Sequence, residues 1–257
     1  MTKYNIKKVK GKKQIVWNPG RKRGLEEAKE RIGDIEREVK LLLKNKKKIK
    51  VLEIGCGYGK VLLELKGLFG DRVELHGTNL EKRWDLKLIR RFALAHKMFR
   101  KKDVNKNLPK LHILDSGKKM RLKSSSFDLI YAQASVQYIY DKAKFLEEIN
   151  RLLTKNGKAI IELQEKKIDS DVNIVSTAYP VEYNTLFEIW NEGKKVDVLK
   201  YLKKFKNVRI KTAKKGWSVL HMTKGKRFSL GLELINSFNL NKLYKGWWGT
   251  KAVYRVK

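Results

Sequence analysis

Residues 51–60 read Val-Leu-Glu-Ile-Gly-Cys-Gly-Tyr-Gly-Lys, an apolar strand carrying one acid, Glu53, and then glycine at every second position, Gly55, Gly57 and Gly59. Glycines so spaced let the backbone turn sharply and let a ligand approach the amides with no Cβ in the way, while the helix that follows offers its positive N-terminal end. The segment suits an anionic or polar cofactor. A triphosphate loop needs Gly-x-x-x-x-Gly-Lys followed by Ser or Thr, but here Ile54 stands at the first glycine and Val61 follows Lys60. The dinucleotide pattern Gly-x-Gly-x-x-Gly fails as well, because the third glycine falls at 59 and position 60 is lysine. A plain strand-to-helix turn rarely needs three glycines and a buried acid.

The elements that must position this loop alternate in type. Strand patterns fall near residues 49–54, 73–78, 111–114, 127–132 and 158–164, and helix patterns near 59–69, 84–101 and 142–153. This alternation predicts βαβ units and an α/β fold, a doubly wound and mostly parallel sheet with helices on both faces. In such a sheet a ligand lies across the carboxyl ends of the strands, so the residues that end the later strands should face it too. The second strand ends at Asn79, with Glu81 two residues on, at the position where this fold usually places an acid on ribose hydroxyls; asparagine can bond a hydroxyl as donor and as acceptor. Asp115 and Ser116 end the third strand, and Gln133, Ser135, Gln137 and Tyr138 follow the fourth.

Glu53-x-Gly55-x-Gly57-x-Gly59 resembles the first motif of the class I, Rossmann-like S-adenosylmethionine-dependent methyltransferases. The block Phe127-Asp128, then Glu148 with Arg151 to Leu153, then Gly157, resembles a later family block, and the matches together run from about 49 to 164. The resemblance implies a seven-stranded-type sheet and S-adenosylmethionine as cofactor. It implies cofactor contacts from Glu53, Gly55, Cys56, Gly57, Gly59, Asn79, Asp115, Ser116 and Gln133, with Asp115 accepting the adenine amino group. Gln133, Ser135, Gln137 and Tyr138 should border the acceptor pocket. No Asn-Pro-Pro-Tyr or Asp-Pro-Pro-Tyr follows the fourth strand, which lowers the weight of amino-base methylation, and no catalytic side chain is assigned.

The 61 Lys and Arg against 27 Asp and Glu give a net charge of +34. Residues 1–50 carry 18 bases and 6 acids, residues 51–165 carry 23 and 14, and residues 166–257 carry 20 and 7, so the flanks hold most of the excess. A field of this size attracts polyanions, and RNA is the expected partner and acceptor. Two alternatives stay open: the same activity on a small-molecule, lipid or protein acceptor, and a non-catalytic nucleic-acid-binding protein that keeps the fold. The expected organisation is a basic arm and amphipathic helix over 1–47, a cofactor-binding core over 48–165, and a C-terminal α+β part over 166–257 that completes the sheet and caps the substrate side.

In the arm, apolar residues at Leu25, Ala28, Ile32, Ile35, Val39 and Leu42 predict one amphipathic helix. The helix from Trp84 places Trp84, Leu88, Phe92, Ala95 and Phe99 on one face and reads as docked, with Arg90, Arg91, Lys97, Arg100 and Lys101 forming a solvated basic face. In the tail, helices are expected near 183–192, 195–205 and 229–238, and strands at 208–212, 217–223 and 251–256. Trp217, Trp247 and Trp248 could stack on bases or serve as buried anchors. With one cysteine, four scattered histidines and no apolar run near ~18 residues, neither a disulfide, nor a zinc site, nor a membrane span is expected, and the location is expected to be cytoplasmic.

Overall fold

The computed structural model describes residues 24–80, 82, 84–136, 139 and 142–164, and beyond these the segments 8–9, 12–13, 189–191, 194–196, 202, 205, 208–214, 217–224 and 253–256. Strands β1 (Ile49–Ile54), β2 (Val73–Asn79), β3 (Lys110–Ile113), β4 (Phe127–Ala132), β5 (Leu153–Gln164), β6 (Val208–Lys214), β7 (Trp217–Thr223) and β8 (Val253–Val256) form one sheet in the order β8-β6-β7-β5-β4-β1-β2-β3. The β3-β2-β1-β4-β5 half is parallel throughout. β7 runs antiparallel between β5 and β6, and β8 pairs antiparallel with β6. Outside the sheet, Lys8–Val9 pairs with Lys12–Lys13 and Ile189–Asn191 with Lys194–Val196, each antiparallel.

Helices α1 (Leu25–Arg31), α2 (Ile35–Lys44), α3 (Lys60–Phe69), α4 (Leu86–Ala95) and α5 (Lys142–Leu152) supply the layers. Two apolar clusters sandwich the sheet. One joins Leu52, Ile54, Ile130 and Ile161 to Phe145, Leu146 and Ile149 of α5. The other joins Val51, Leu129 and Tyr131 to Val39 of α2, Leu62 of α3 and Ile89 of α4. Because neighbouring residues of β1 point to opposite clusters, both faces are covered, which is why this strand reads as a nearly continuous apolar run.

The helix expected from Leu25 is two helices. Gly33, at φ +107°, ends the first, its amide bonding the Ala28 carbonyl, and Asp34 caps the second by accepting the Arg37 amide at 2.8 Å. The apolar stripe survives the break, since Ala28, Ile32, Ile35 and Val39 are all buried. The helix expected over 84–101 stops at Ala95, and its buried face is Ile89, Phe92 and Ala93, with Trp84 just before it, rather than Leu88 and Ala95. β5 begins at Leu153, five residues before the expected 158, continuing directly from α5. In the tail, 189–191 and 194–196 are strands where helices were expected. The helix expected near 229–238, Trp247 and Trp248 lie outside the described residues. Among the described residues, no helix is long and apolar enough to cross a membrane.

Candidate functional site

In the strand order, β1 lies between β2 and β4, and the direction of winding reverses between β1 and β4, so the carboxyl ends of three strands converge where a doubly wound sheet holds its ligand. The glycine loop begins at the end of β1. Gly55, Gly57 and Gly59 have φ of +69°, +54° and +66°, values that side-chain-bearing residues adopt at a cost. A Cβ placed on Gly55 would sit 2.5 Å from Cβ of Ser135, so space and backbone both demand glycine there.

The end of β2 fixes the loop. The Cys56 amide donates to the Thr78 carbonyl at 2.9 Å and the Gly55 amide to Thr78 Oγ1 at 3.1 Å. Asn79, 2% exposed, accepts from the Gly57 amide at 2.8 Å through Oδ1, while its Nδ2 donates to the carbonyls of Gly57 at 3.2 Å and Trp84 at 3.0 Å. The Asn79 amide is thus committed to the loop, and a ribose would meet only the second lone pair of Oδ1. Trp84 packs edge-on against Tyr58 of the loop, with ring centroids 5.1 Å apart. The Cys56 thiol faces the sheet: a Cβ on Gly77 would lie 2.4 Å from Sγ. Burial pushes this thiol well above its ordinary pKa, so it is no nucleophile.

Further along the rim, Thr78 Oγ1 lies 3.3 Å from Ser116 Oγ, and half-buried Asp115 accepts the Gly117 amide at 2.9 Å, turning the chain at the end of β3. On the other side, Ser135 Oγ donates to the Ile54 carbonyl at 2.8 Å. Gln133 is 6% exposed and its Nε2 has no hydrogen-bond partner among the described residues, although buried polar groups nearly always have one. Glu53, 6% exposed, accepts from Tyr131 Oη at 3.0 Å and forms no ion pair among the described residues. Burial raises its pKa to about 8, with the Tyr131 hydrogen bond working against that rise. An unpaired buried carboxyl, an unbonded buried amide and a glycine loop whose three glycines all have left-handed φ together fit a ligand with a cationic group, further polar edges and close backbone contact.

The sequence placed Glu53, Gly55, Cys56, Gly57, Gly59, Asn79, Asp115, Ser116 and Gln133 at these strand ends, and the fold brings all nine to one rim. Gln137 and Tyr138 lie outside the described residues. Sequence reasoning passed over Tyr131, directly opposite Glu53 in the β1–β4 register, and Glu162. Glu162 is 2% exposed in β5; its Oε2 accepts the Ala134 amide at 2.8 Å and its Oε1 accepts from Arg31, with Nε at 3.0 Å and Nη2 also in contact. Ala134 has φ +51°, a left-handed conformation held next to Gln133 by this bond. The available signal was an acid inside the apolar run Ala159-Ile-Ile-Glu-Leu163, which must find partners if buried. Glu162→Ala should lower stability by about 3–5 kcal/mol in urea unfolding, because it deletes the buried carboxylate that Arg31 and the Ala134 amide both bond, whereas Glu162→Gln should cost less by keeping an acceptor for that amide.

A family model described as a methyltransferase domain matches residues 27–194, more than half of the chain. The chain belongs to this methyltransferase family. Its fold is the class I, Rossmann-like one that the sequence motif implied. Among solved structures, the carbon methyltransferase CurJ superposes with a TM-score of 0.50 at 13% identity, covering 75% of this chain and 53% of its own. A SAM-dependent methyltransferase from Aquifex aeolicus gives 0.48 at 16% identity, covering 76% and 92%. Phosphoethanolamine N-methyltransferase 2 of Haemonchus contortus, solved with S-adenosyl-L-methionine, gives 0.49 at 15% identity, covering 76% and 54%. The chain spans about half the length of the first and last of these. No curated protein matches it.

Proposed function

We infer that this chain transfers the methyl group of S-adenosylmethionine to RNA. The cofactor part of the reading is carried by Glu53 and Gln133, a buried carboxyl and a buried amide left without a cation or a hydrogen-bond partner among the described residues at the convergence of β1 and β4. The Gly55–Gly59 amides and Glu53 would hold the methionine end, Asp115 with Ser116 the adenine, and Asn79 acts by clamping Gly57 and Trp84. S-adenosylmethionine supplies a methyl group already activated by its sulfonium, so alignment of the acceptor is the main task left to the protein. Ser135, bonded to the Ile54 carbonyl, fixes the loop after β4, and beside it the buried Gln133 Nε2 has no hydrogen-bond partner among the described residues.

The acceptor part rests on charge. Residues 1–50 and 166–257 together hold 38 bases against 13 acids, and we assign these flanks to the phosphate backbone and the C-terminal part to the cap over the acceptor. The test is incubation with isotopically labelled S-adenosylmethionine and separate RNA and metabolite pools, read by mass spectrometry. Label in RNA, in amounts that fall steeply with added salt, is the expected result. Label confined to metabolites, or no RNA binding at low salt, overturns the RNA acceptor while leaving the methyltransferase intact.

A further inference from the structure

Within the core the positive charge is not spread evenly. Residues 82–110 hold 11 bases and 2 acids, while the rest of residues 51–165 hold 12 bases and 12 acids, so the whole net excess of the core lies in the crossover that contains α4. A uniform bias toward lysine would not concentrate it in one connection. Elsewhere several helical bases are matched, Lys40 to Glu36 at 2.5 Å, Lys60 to Glu64 at 3.6 Å and Arg151 to Glu148 at 2.7 Å, although the exposed Arg37 and Lys44 of α2 form no ion pair among the described residues. α4 contains no acid, and its exposed Lys87 and Arg91 are four residues apart, where like charges repel. Lys87, Arg91, Lys97, Arg100, Lys101 and Lys102 are all exposed and form no ion pair among the described residues.

The end of α4 points the same way. The Lys97 and Met98 amides bond back to the carbonyls of Leu94 and Ala93, the bonding of a helix terminated by a left-handed residue, where glycine is the usual choice. Here that residue is Lys97, at φ +51°, so an exposed cation is kept at a position where a side chain costs stability.

We propose that α4 and the turn after it, residues 87–102, are a phosphate-binding surface that lays the RNA acceptor along the β2–β3 side of the core. This rests on the RNA reading above and adds a place to it. Six residues separate the start of α4 from the end of β2, at the cofactor rim, and its ten residues run about 15 Å away from that rim, the length of a few nucleotides. A strand held there has one end beside the Gly55–Gly59 loop. The contact reads charge and carries no sequence specificity of its own.

The test uses the full chain, a short mixed-sequence single-stranded RNA, and the quadruple variant Arg91→Gln, Arg100→Gln, Lys101→Gln, Lys102→Gln, with Lys97→Gly as a separate protein. Each phosphate contact contributes ~0.7 to the slope of log affinity against log salt, so the quadruple variant should lose about 2 to 3 from the slope and at least about tenfold in affinity near 0.1 M salt, with S-adenosylmethionine binding unchanged. Lys97→Gly should raise Tm by about 3 °C and still bind RNA about fivefold more weakly. Undiminished RNA binding by both variants overturns the surface and leaves the RNA reading standing. A wild-type chain that binds no RNA at low salt overturns both. A loss seen with phosphatidylserine vesicles but not with RNA reassigns the surface to a membrane and also overturns the proposal.

Discussion

Gly55→Ala is expected to weaken S-adenosylmethionine binding by at least about 100-fold and to lower stability by about 2–6 kcal/mol. Two independent costs meet at this position. An alanine held at φ +69° pays roughly 1–3 kcal/mol for a left-handed backbone, and its methyl would lie 2.5 Å from Cβ of Ser135, an overlap worth another ~1–3 kcal/mol once neighbours shift. Neither cost can be relieved locally, because Ser135 is bonded to the Ile54 carbonyl and the Gly55 amide to Thr78. Any relaxation therefore displaces the loop or the chain beside Gln133, both of which border the proposed cofactor site. Gly67→Ala is the matched control: it lies inside α3, a Cβ there meets nothing within 4 Å, and the exchange should stabilise by about 0.5–1 kcal/mol and leave binding alone. Calorimetric titration and urea unfolding of the three proteins read both effects. Wild-type affinity in Gly55→Ala would mean that the loop is no part of the cofactor site.

The second large effect concerns pH. In the unfolded chain Glu53 ionises near its ordinary value, whereas in the cofactor-free fold it holds its proton up to about pH 8. The folded state therefore binds the extra proton between these values, and stability falls as pH rises through that interval. The contribution is complete below about pH 4.5 and gone above about pH 8, with a span on the order of 4 kcal/mol. Glu53→Gln cannot ionise, so the difference in unfolding free energy between variant and wild type should grow with pH over this window. If Glu53 meets the methionine end of the cofactor as proposed, the ammonium there would favour the carboxylate and reverse the preference. Binding near pH 7 should then release a proton, visible as a binding enthalpy that depends on the buffer, and Glu53→Gln should abolish that dependence. A wild-type enthalpy identical in all buffers would remove Glu53 from contact with the cofactor.

β1, β4 and α3 could be read from the chain to within a residue because each is an apolar run bounded by a strong stop, Gly55 after β1 and the serines 124–126 before β4. The rim followed, since a parallel strand's end marks which residues stand on it; Gln133 and Asp115 lie just past the ends of β4 and β3, as expected. The break at Gly33–Asp34 was masked by an apolar stripe that continues in phase across it, although glycine followed by aspartate is itself a stop and a start. The early end of α4 could not be seen, because Lys97 takes a conformation that its side chain disfavours. Glu162 and Arg31 are 131 residues apart, and nothing local ties an acid in one strand to a base in a distant helix. At 189–196 apolar spacing suggested helix where two short strands pair, with Gly193 between them as the overlooked signal.

The antiparallel placement of β7 has a consequence for how the protein is made. β5 is completed at Gln164, but its outer edge stays unpaired until β7, about fifty residues later, has been synthesised and inserted. At ~5–20 residues per second a ribosome leaves that apolar edge, with Ile160 and Ile161 on it, bare for about three to ten seconds after β5 has emerged. The nascent chain can thus assemble the rim around its glycine loop before it has closed its own sheet, and the interval between the two is when it is most exposed to pairing with a neighbour.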